Sequence, residues 1–448
     1  MHRLSVTTLL WGFALVVTCA GGLNVPALPL LSAATVGSVG VALILLFWPH
    51  DRRALGVSAV CYLAVVALSL PAIPNHRVVL AGVAIALLGV AGGRLSIDTF
   101  AATGRWLTLI LYTFAVAAKL NTAYLDPTVS CATVFFKQTL AGHGLAPLGR
   151  YPVWLEIAPI VWSIGSEVAL LVLLIVPRTR LLGVAFGLLF HLTLAADYVK
   201  FFGNFSAAMS ILLFAWLDEE HAQELRGRWP RLWKVVVPGA SGVIALAYLA
   251  SHAAWLNPIE FVVVRQIAFL LVFVGLISGV VSLVGRWWNA PPPASLGRPW
   301  VGLVVLAVLN GLSPYLGLKT RSGFTMYSNL RIEAAYSNHL FAPPSSDPLG
   351  LLSDVVLVRS TGDPALQRRI EDGGTTMTYA ELCTYLEWRG DVAPGRRESA
   401  SPVQYERGGA EFVSVRGAPL PSDCPTLLVR RLTFFGPIGP GSERACVW

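Results

Sequence analysis

Charge is scarce in this chain. Lys, Arg, Asp and Glu make up 13% of its 448 residues, against ~25% in a soluble globular domain. With 55% hydrophobic residues and a mean hydropathy of +0.64, that deficit excludes an ordinary soluble enzyme and predicts an all-α polytopic membrane helix bundle. Metal and nucleotide signatures are missing as well. The six cysteines (Cys19, Cys61, Cys131, Cys383, Cys424 and Cys446) show neither a CxxC pair nor a Cys/His ligand spacing. No P-loop or dinucleotide fingerprint occurs. The GAPLP and GPIGPG segments near the end read as turns, because proline fixes φ and removes the N–H groups that a phosphate cradle needs.

The net charge is +8, but its distribution argues against a nucleic-acid partner. Residues 319–448 carry 14 Lys+Arg and 14 Asp+Glu, so the whole excess lies in residues 1–318. There, apolar runs fall at about 4–20, 31–48, 54–70, 78–93, 105–123, 153–176, 181–197, 204–217, 235–256, 261–284 and 300–318. Several are short of the ~20 residues a span needs, which predicts nine to eleven spans. The first run also reads as a signal peptide, with Arg3 as its charged start and Thr18-Cys19-Ala20 as a small-residue site. With eleven spans and a cytoplasmic N-terminus, the inner segments hold thirteen Lys+Arg. The short outer segments hold four: Arg77, Lys137, Arg150 and Lys200. That bias follows the positive-inside rule and places the chain in the cell membrane with residues 319–448 outside.

Residues 319–448 read as a small soluble α+β, β-rich domain. DVVLVRS, EFVSVRG and TLLVRRLTFFG are expected as strands, and TYAELCTYLEWRG has helical spacing. An extracytoplasmic position predicts at least one disulfide among Cys131, Cys383, Cys424 and Cys446, with Cys131 available to link this domain to the spans. The 125–153 loop, with Phe135, Phe136, Tyr151 and Trp154, reads either as a surface lid or as an interfacial aromatic belt. Residues 218–234 read as a solvated amphipathic connector.

Few groups within the spans can ionise, and such groups usually face the bundle interior and pair. Lys119 follows thirteen nearly unbroken apolar residues, Trp106–Ala118. Glu167 and His191 fall near mid-span, while Asp197, His252 and Arg265 fall toward outer ends. An outward-opening polar pocket bounded by Lys119, Glu167, His191 and Arg265 is the functional expectation. The structural alternative has Glu167 and His191 hydrogen-bonding between helices and Arg265 and Lys119 snorkelling to the headgroups.

The run AAKLNTAYLDPTVSCATVFF resembles the signature of the HTTM (horizontally transferred transmembrane domain) family, which is related to the vitamin K-dependent gamma-glutamyl carboxylase. Lys119, Leu120, Asn121, Tyr124 and Asp126 carry the likeness. FHLTLAADYVKFFGNFSAAMSILLFAWL (190–217) and NGLSPYLGLKTRSGFTMYSNLRIEAAYSNHLF (310–341) extend it, so that it covers about residues 100–341. The resemblance implies a base at Lys119 that deprotonates reduced vitamin K or a menaquinol-type quinol, with O2 and CO2 as co-substrates and a peptide or lipid as acceptor. Lys119, His191 and Glu167 are the candidate catalytic residues. Arg265, Asn121, Tyr112 and Trp162 are the candidate cofactor-binding residues. The chain departs from the carboxylase in its shorter tail and in Asn121, which stands where the carboxylase has aspartate.

The residues leave two readings open. One is a carboxylase-like membrane enzyme acting on a secreted peptide or a lipid. The other is a non-enzymatic factor for peptide maturation or export, or a transporter with Lys119, Glu167 and His191 along its path. A lysine acting as base has to lose its charge, which burial favours and a close carboxylate opposes. Lys119 is therefore expected in an apolar cavity with no carboxylate partner, with Arg265 as the nearby positive charge.

Overall fold

Helix α1 (His2–Gly21) runs through the middle of the helical bundle, with Trp11, Phe13 and Leu15 wholly buried. The computed structural model describes residues 2–21, 29–71, 73–145, 151–196, 202–252, 255–287, 296–362, 366–367, 376–387, 402–415, 419–433, 435, 438 and 446. After α1 come α2 (Pro29–Phe47), α3 (Arg52–Ser69), α4 (Asn75–Ala91) and α5 (Ile97–Lys119), each packed on the one before it. The single turn α6 (Thr122–Leu125) and the helix α7 (Cys131–Gly142) follow. Next come α8 (Val153–Ile175), α9 (Arg180–Ala195), α10 (Gly203–Phe214), α11 (Glu219–Arg228), α12 (Val237–His252), α13 (Pro258–Trp287) and α14 (Val301–Leu312). Seven of these helices are long and apolar enough to cross a membrane, and four more are apolar but shorter. Together they coincide with the eleven apolar runs of the sequence, and they are consistent with a multi-pass membrane protein.

Close approach at glycines draws the helices of the site together. A Cβ at Gly104 of α5 would stand 2.8 Å from that of Ala215, at the end of α10. One at Gly187 of α9 would stand 2.8 Å from Leu213 of α10. The absent side chains let α5 and α9 flank α10 at backbone distance. At one end of the bundle, Arg3 ties the chain together. Its guanidinium bonds Leu217 O, Asp98 and Asp218, while Arg105 bonds Ala215 O and the same Asp218. Helix α11 starts here with a capping box between Asp218 and His221. In the 218–234 connector, α11 is followed by a short π-helical turn over Leu232–Val236.

The other end carries the C-terminal residues. Residues 319–345 pack over α4 and α5: Phe324 N–H donates to Asn75 Oδ1 at 2.9 Å, and Leu340 N–H to Leu120 O at 2.9 Å. Beyond them a four-stranded antiparallel sheet has the order β2-β1-β3-β4, formed by β1 (Val355–Thr361), β2 (Thr376–Thr378), β3 (Pro402–Arg407) and β4 (Ala410–Val415). Gly408 and Gly409 join β3 to β4, both at positive φ, the conformation of a two-residue hairpin whose twist matches the strands. Helix α15 (Tyr379–Glu387) packs Leu382, Cys383 and Leu386 against Val356, Val403 and Tyr405. TLLVRRLTFFG, expected as a strand, instead folds as α16 (Leu427–Leu432). Leucine and arginine are strong helix formers and only Val429 is β-branched within it, so the apolar run alone misled.

Cysteines bond within and across these parts. Cys383 and Cys424 form a disulfide inside the sheet domain, with Cα atoms 5.9 Å apart. Cys131 pairs with Cys446, 315 residues away, tying the start of α7 to the end of the chain. Cys19 and Cys61 are free.

Candidate functional site

Lys119 is the last residue of α5, where the helix carbonyls favour a cation. The chain turns immediately afterwards, and Asn121 makes the turn. Its Nδ2 donates to Ala118 O at 2.8 Å and to Ser328 O at 2.6 Å, while its Oδ1 accepts from Tyr124 N–H at 2.8 Å and from Asn338 Nδ2 at 3.3 Å. His339 completes the cap: its Nε2 donates to Ala117 O at 2.9 Å, and its Nδ1 accepts from the N–H groups of Phe341 and Ala342. The open carbonyls of α5 are thus satisfied by two side chains, one of them 222 residues away.

Lys119 Nζ donates to both oxygens of Glu167, at 2.6 Å each. Both residues are only 5% exposed. This corrects the expectation of an apolar cavity free of carboxylates, and the reason is energetic. Leaving an ammonium buried without a counter-charge costs several kcal/mol, and α5 packs directly against α8, which supplies Glu167. Glu167 lies 14 residues into α8, roughly 21 Å at 1.5 Å per residue. Lys119 Nζ is therefore held well along α8 and away from solvent.

Two tyrosines belong to the same part of the bundle. Tyr124 shares a hydrogen bond with Ser163, one turn before Glu167 on α8, and its ring lies 5.9 Å from Lys119 Nζ. Tyr112, two turns before Lys119 on the same face of α5, hydrogen-bonds His191 Nε2 at 2.7 Å. His191 is wholly buried on α9 among Phe190, Phe205 and Tyr112, and Ser206 Oγ donates to its carbonyl at 2.9 Å. Its Nδ1 has no hydrogen-bond partner among the described residues.

Compared with known proteins, the chain matches no family model, no curated protein and no solved structure. The site is therefore defined by its own geometry. Lys119 pairs with Glu167, and Tyr112 with His191, on helices α5, α8 and α9, of which α8 packs on both α5 and α9. Arg265 stands one helix away, buried on α13 with its guanidinium 5.2 Å from the Phe261 ring. Its helix packs on α9 and α12 rather than on α5, and Gln266 beside it donates to Ala195 O. Trp162 is 47% exposed on the outward side of α8, edge-on to Phe186. Asn121 spends both donors and both acceptor sites on backbone and Asn338, so its amide has no capacity left for a ligand. Asp197 lies outside the described residues. Among the described residues no group of His, Cys, Asp and Glu could hold a metal ion.

The site is roofed on the C-terminal side. Helix α7 is pinned to the first turns of α8, with Thr133 Oγ1 donating to Glu156 O at 2.7 Å and Lys137 Nζ 2.5 Å from Glu156 Oε1. Phe135 of α7, Phe202 before α10 and Tyr327 form a mutual cluster, their ring centroids 4.7–5.5 Å apart. The 125–153 loop thus contributes a helix packed on α8, with Phe135 in the ring cluster, Tyr151 under Lys137 Nζ and the flanking Trp154 exposed. Tyr124 entered the sequence reading only as one of the residues that carry the family likeness. Ser163, Asn338 and His339 were not singled out, and they carry no local signal.

Proposed function

We propose that this protein is a membrane-embedded enzyme in which the Lys119–Glu167 pair moves a proton on a lipid-soluble, quinol-type cofactor, as the resemblance to the HTTM family and the vitamin K-dependent carboxylase implies. The observation that carries the reading is a buried ion pair at hydrogen-bond distance, with a tyrosine–histidine pair that has one unused ring nitrogen two turns back along α5. Buried charges of this kind are kept inside spans mainly for function.

The residues fit such a cofactor. His191 Nδ1 is an orphaned polar atom within a wall of aromatic rings, suited to a hydroxyl on a planar ring. When bound, a quinol supplies an acidic O–H and two reducing equivalents; O2 and CO2 are the co-substrates the resemblance adds, with a peptide or lipid as acceptor. The chain's own part is proton handling. Lys119 and Glu167 exist either as ammonium facing carboxylate or as amine facing carboxylic acid. A proton moving across 2.6 Å from Nζ to Oε1 exchanges the two forms without displacing either side chain. In the second form Nζ has a free lone pair and accepts a proton, leaving Lys119 as ammonium and Glu167 protonated. Tyr112 fixes the His191 ring, and burial of all four side chains excludes water.

A transporter or a maturation factor is the competing reading. The observation that favours an enzyme over a path across the bundle is that Lys119 and Glu167 bond each other directly and are both buried. The orientation proposed puts the N-terminus in the cytoplasm and the disulfide-bonded tail outside, in an oxidising compartment.

The test supplies reduced vitamin K or menaquinol to the purified protein in nanodiscs and follows quinol oxidation and CO2 fixation. Turnover by the native chain and none by Lys119→Ala, at equal folded yield, is expected. Equal quinol oxidation by both would overturn the assignment.

A further inference from the structure

Helix α16 presents a leucine face that is uncovered among the described residues. Leu427, Leu428 and Leu432 are 53, 70 and 63% exposed. At 3.6 residues per turn they fall within an arc of about 140°. The rest of the helix turns inward: Val429 packs with Leu351, Leu352 and Phe435, and Arg430 is buried with its guanidinium on Glu387 and Pro425 O. The leucine side is thus not a leftover of a loosely packed helix. It is the outer side of a helix whose inner side is fully engaged.

The position of that side is set by Arg431, which lies within the leucine arc. Its guanidinium donates to Leu70 O at 2.5 Å. Leu70 is the C-cap of α3, one of the seven helices long and apolar enough to cross a membrane. Arg431 therefore places α16 at the level where a membrane-crossing helix ends, with three leucines beside it facing away from the sheet domain. An arginine held at that boundary next to exposed leucines is the arrangement of a helix lying in a lipid interface.

We propose that α16 is an interfacial anchor: Leu427, Leu428 and Leu432 insert into the headgroup–acyl boundary of the leaflet on the tail side and hold the sheet domain down on the bilayer. The occupant of this face is lipid, because Arg431 of the same face is bonded to the end of α3, a helix long and apolar enough to cross a membrane with Val57 and Val60 exposed along it. A helix of six residues cannot bind a membrane by itself. Here the Cys131–Cys446 bond, the 319–345 segment and Arg431 already hold the domain against the bundle, so the leucines add orientation at little entropic cost.

The test is spin-label accessibility on the full chain in lipid nanodiscs, in a Cys19→Ala/Cys61→Ala background with the four paired cysteines left oxidised. Labels go on Leu428→Cys and Leu432→Cys. The reference label is Gln404→Cys, exposed on the face of β3 opposite the Val403 and Tyr405 side chains that pack on α15. All three sites are exposed, so labelling leaves the fold intact. The anchor predicts that oxygen reaches the α16 labels several-fold better than a water-soluble nickel chelate does, with the reverse at Gln404→Cys. Nickel access at Leu428→Cys equal to that at Gln404→Cys would place the face in water and overturn the proposal. Low access to both reagents would also overturn it, since a second copy or another protein would then cover the leucines.

Discussion

Lys119 Nζ sits 2.6 Å from each carboxylate oxygen of Glu167, with both side chains buried between α5 and α8. The scarcity of ionisable groups in the spans draws attention to each residue separately, and the fold makes them one unit. Removing either partner leaves the other charge uncompensated, at about 3–5 kcal/mol. Glu167→Leu and Lys119→Met should each lower stability by that order, and the double variant should recover most of it, because an apolar pair of similar volume avoids both desolvation costs. Thermal unfolding of the three variants checks this. Additive losses in the double variant would mean that the two residues do not act as a pair.

Asn121 is the hinge between the spans and the C-terminal residues, and its role is structural. Asn121→Ala should destabilise the protein by about 2–4 kcal/mol, since it strands two buried carbonyls and a backbone N–H. Asn121→Asp restores the residue of the carboxylase motif but keeps only the acceptor, so it should be destabilising too. A melting temperature unchanged in Asn121→Asp would contradict the network described around Ala118 and Ser328.

The cysteine pairing is checked by peptide mapping without reductant. Linked peptides Cys131–Cys446 and Cys383–Cys424 are expected, with Cys19 and Cys61 alkylated after denaturation. Replacing Cys383 and Cys424 by serine should destabilise the sheet domain by about 2–4 kcal/mol. Four free thiols at these positions would count against both the pairing and an oxidising location for the tail.

Acid should loosen the sheet domain through Asp423. Hydrogen bonds from Arg407 and Tyr379 hold its carboxyl below the usual carboxylate range. A depressed folded value contributes stability that is present above the unfolded value of ~3.9 and is lost as pH falls through the folded one. The melting temperature of Asp423→Asn should therefore lie below that of the native chain at pH 6, and the gap should close as pH falls below ~4. A gap that is constant with pH would show that the carboxylate charge contributes nothing.

Much of the fold was legible. The eleven apolar runs all become helices, as long uninterrupted hydropathy predicts, and DVVLVRS and EFVSVRG carry enough β-branched residues to mark β1 and β4. Residues 427–432 misled because an apolar run bounded by turns has no period to separate helix from strand. At the site, Lys119, Glu167 and His191 were legible as charges and a ring where lipid tolerates few. Their mutual contacts were not, since which face of α8 meets α5 depends on how closely the two helices approach. Asn338 and His339 lie over 200 residues from the α5 end they cap, beyond any local pattern.

The proposal rests on Lys119 losing and regaining a proton, and Lys119→Arg isolates that property. Arginine keeps a buried positive charge able to bond both Glu167 oxygens, yet guanidinium does not deprotonate. In nanodiscs supplied with reduced vitamin K or menaquinol, Lys119→Arg is expected to melt close to the native protein and to oxidise no quinol. Full turnover by this variant would contradict the account and leave the Lys119–Glu167 pair as a structural tie between α5 and α8.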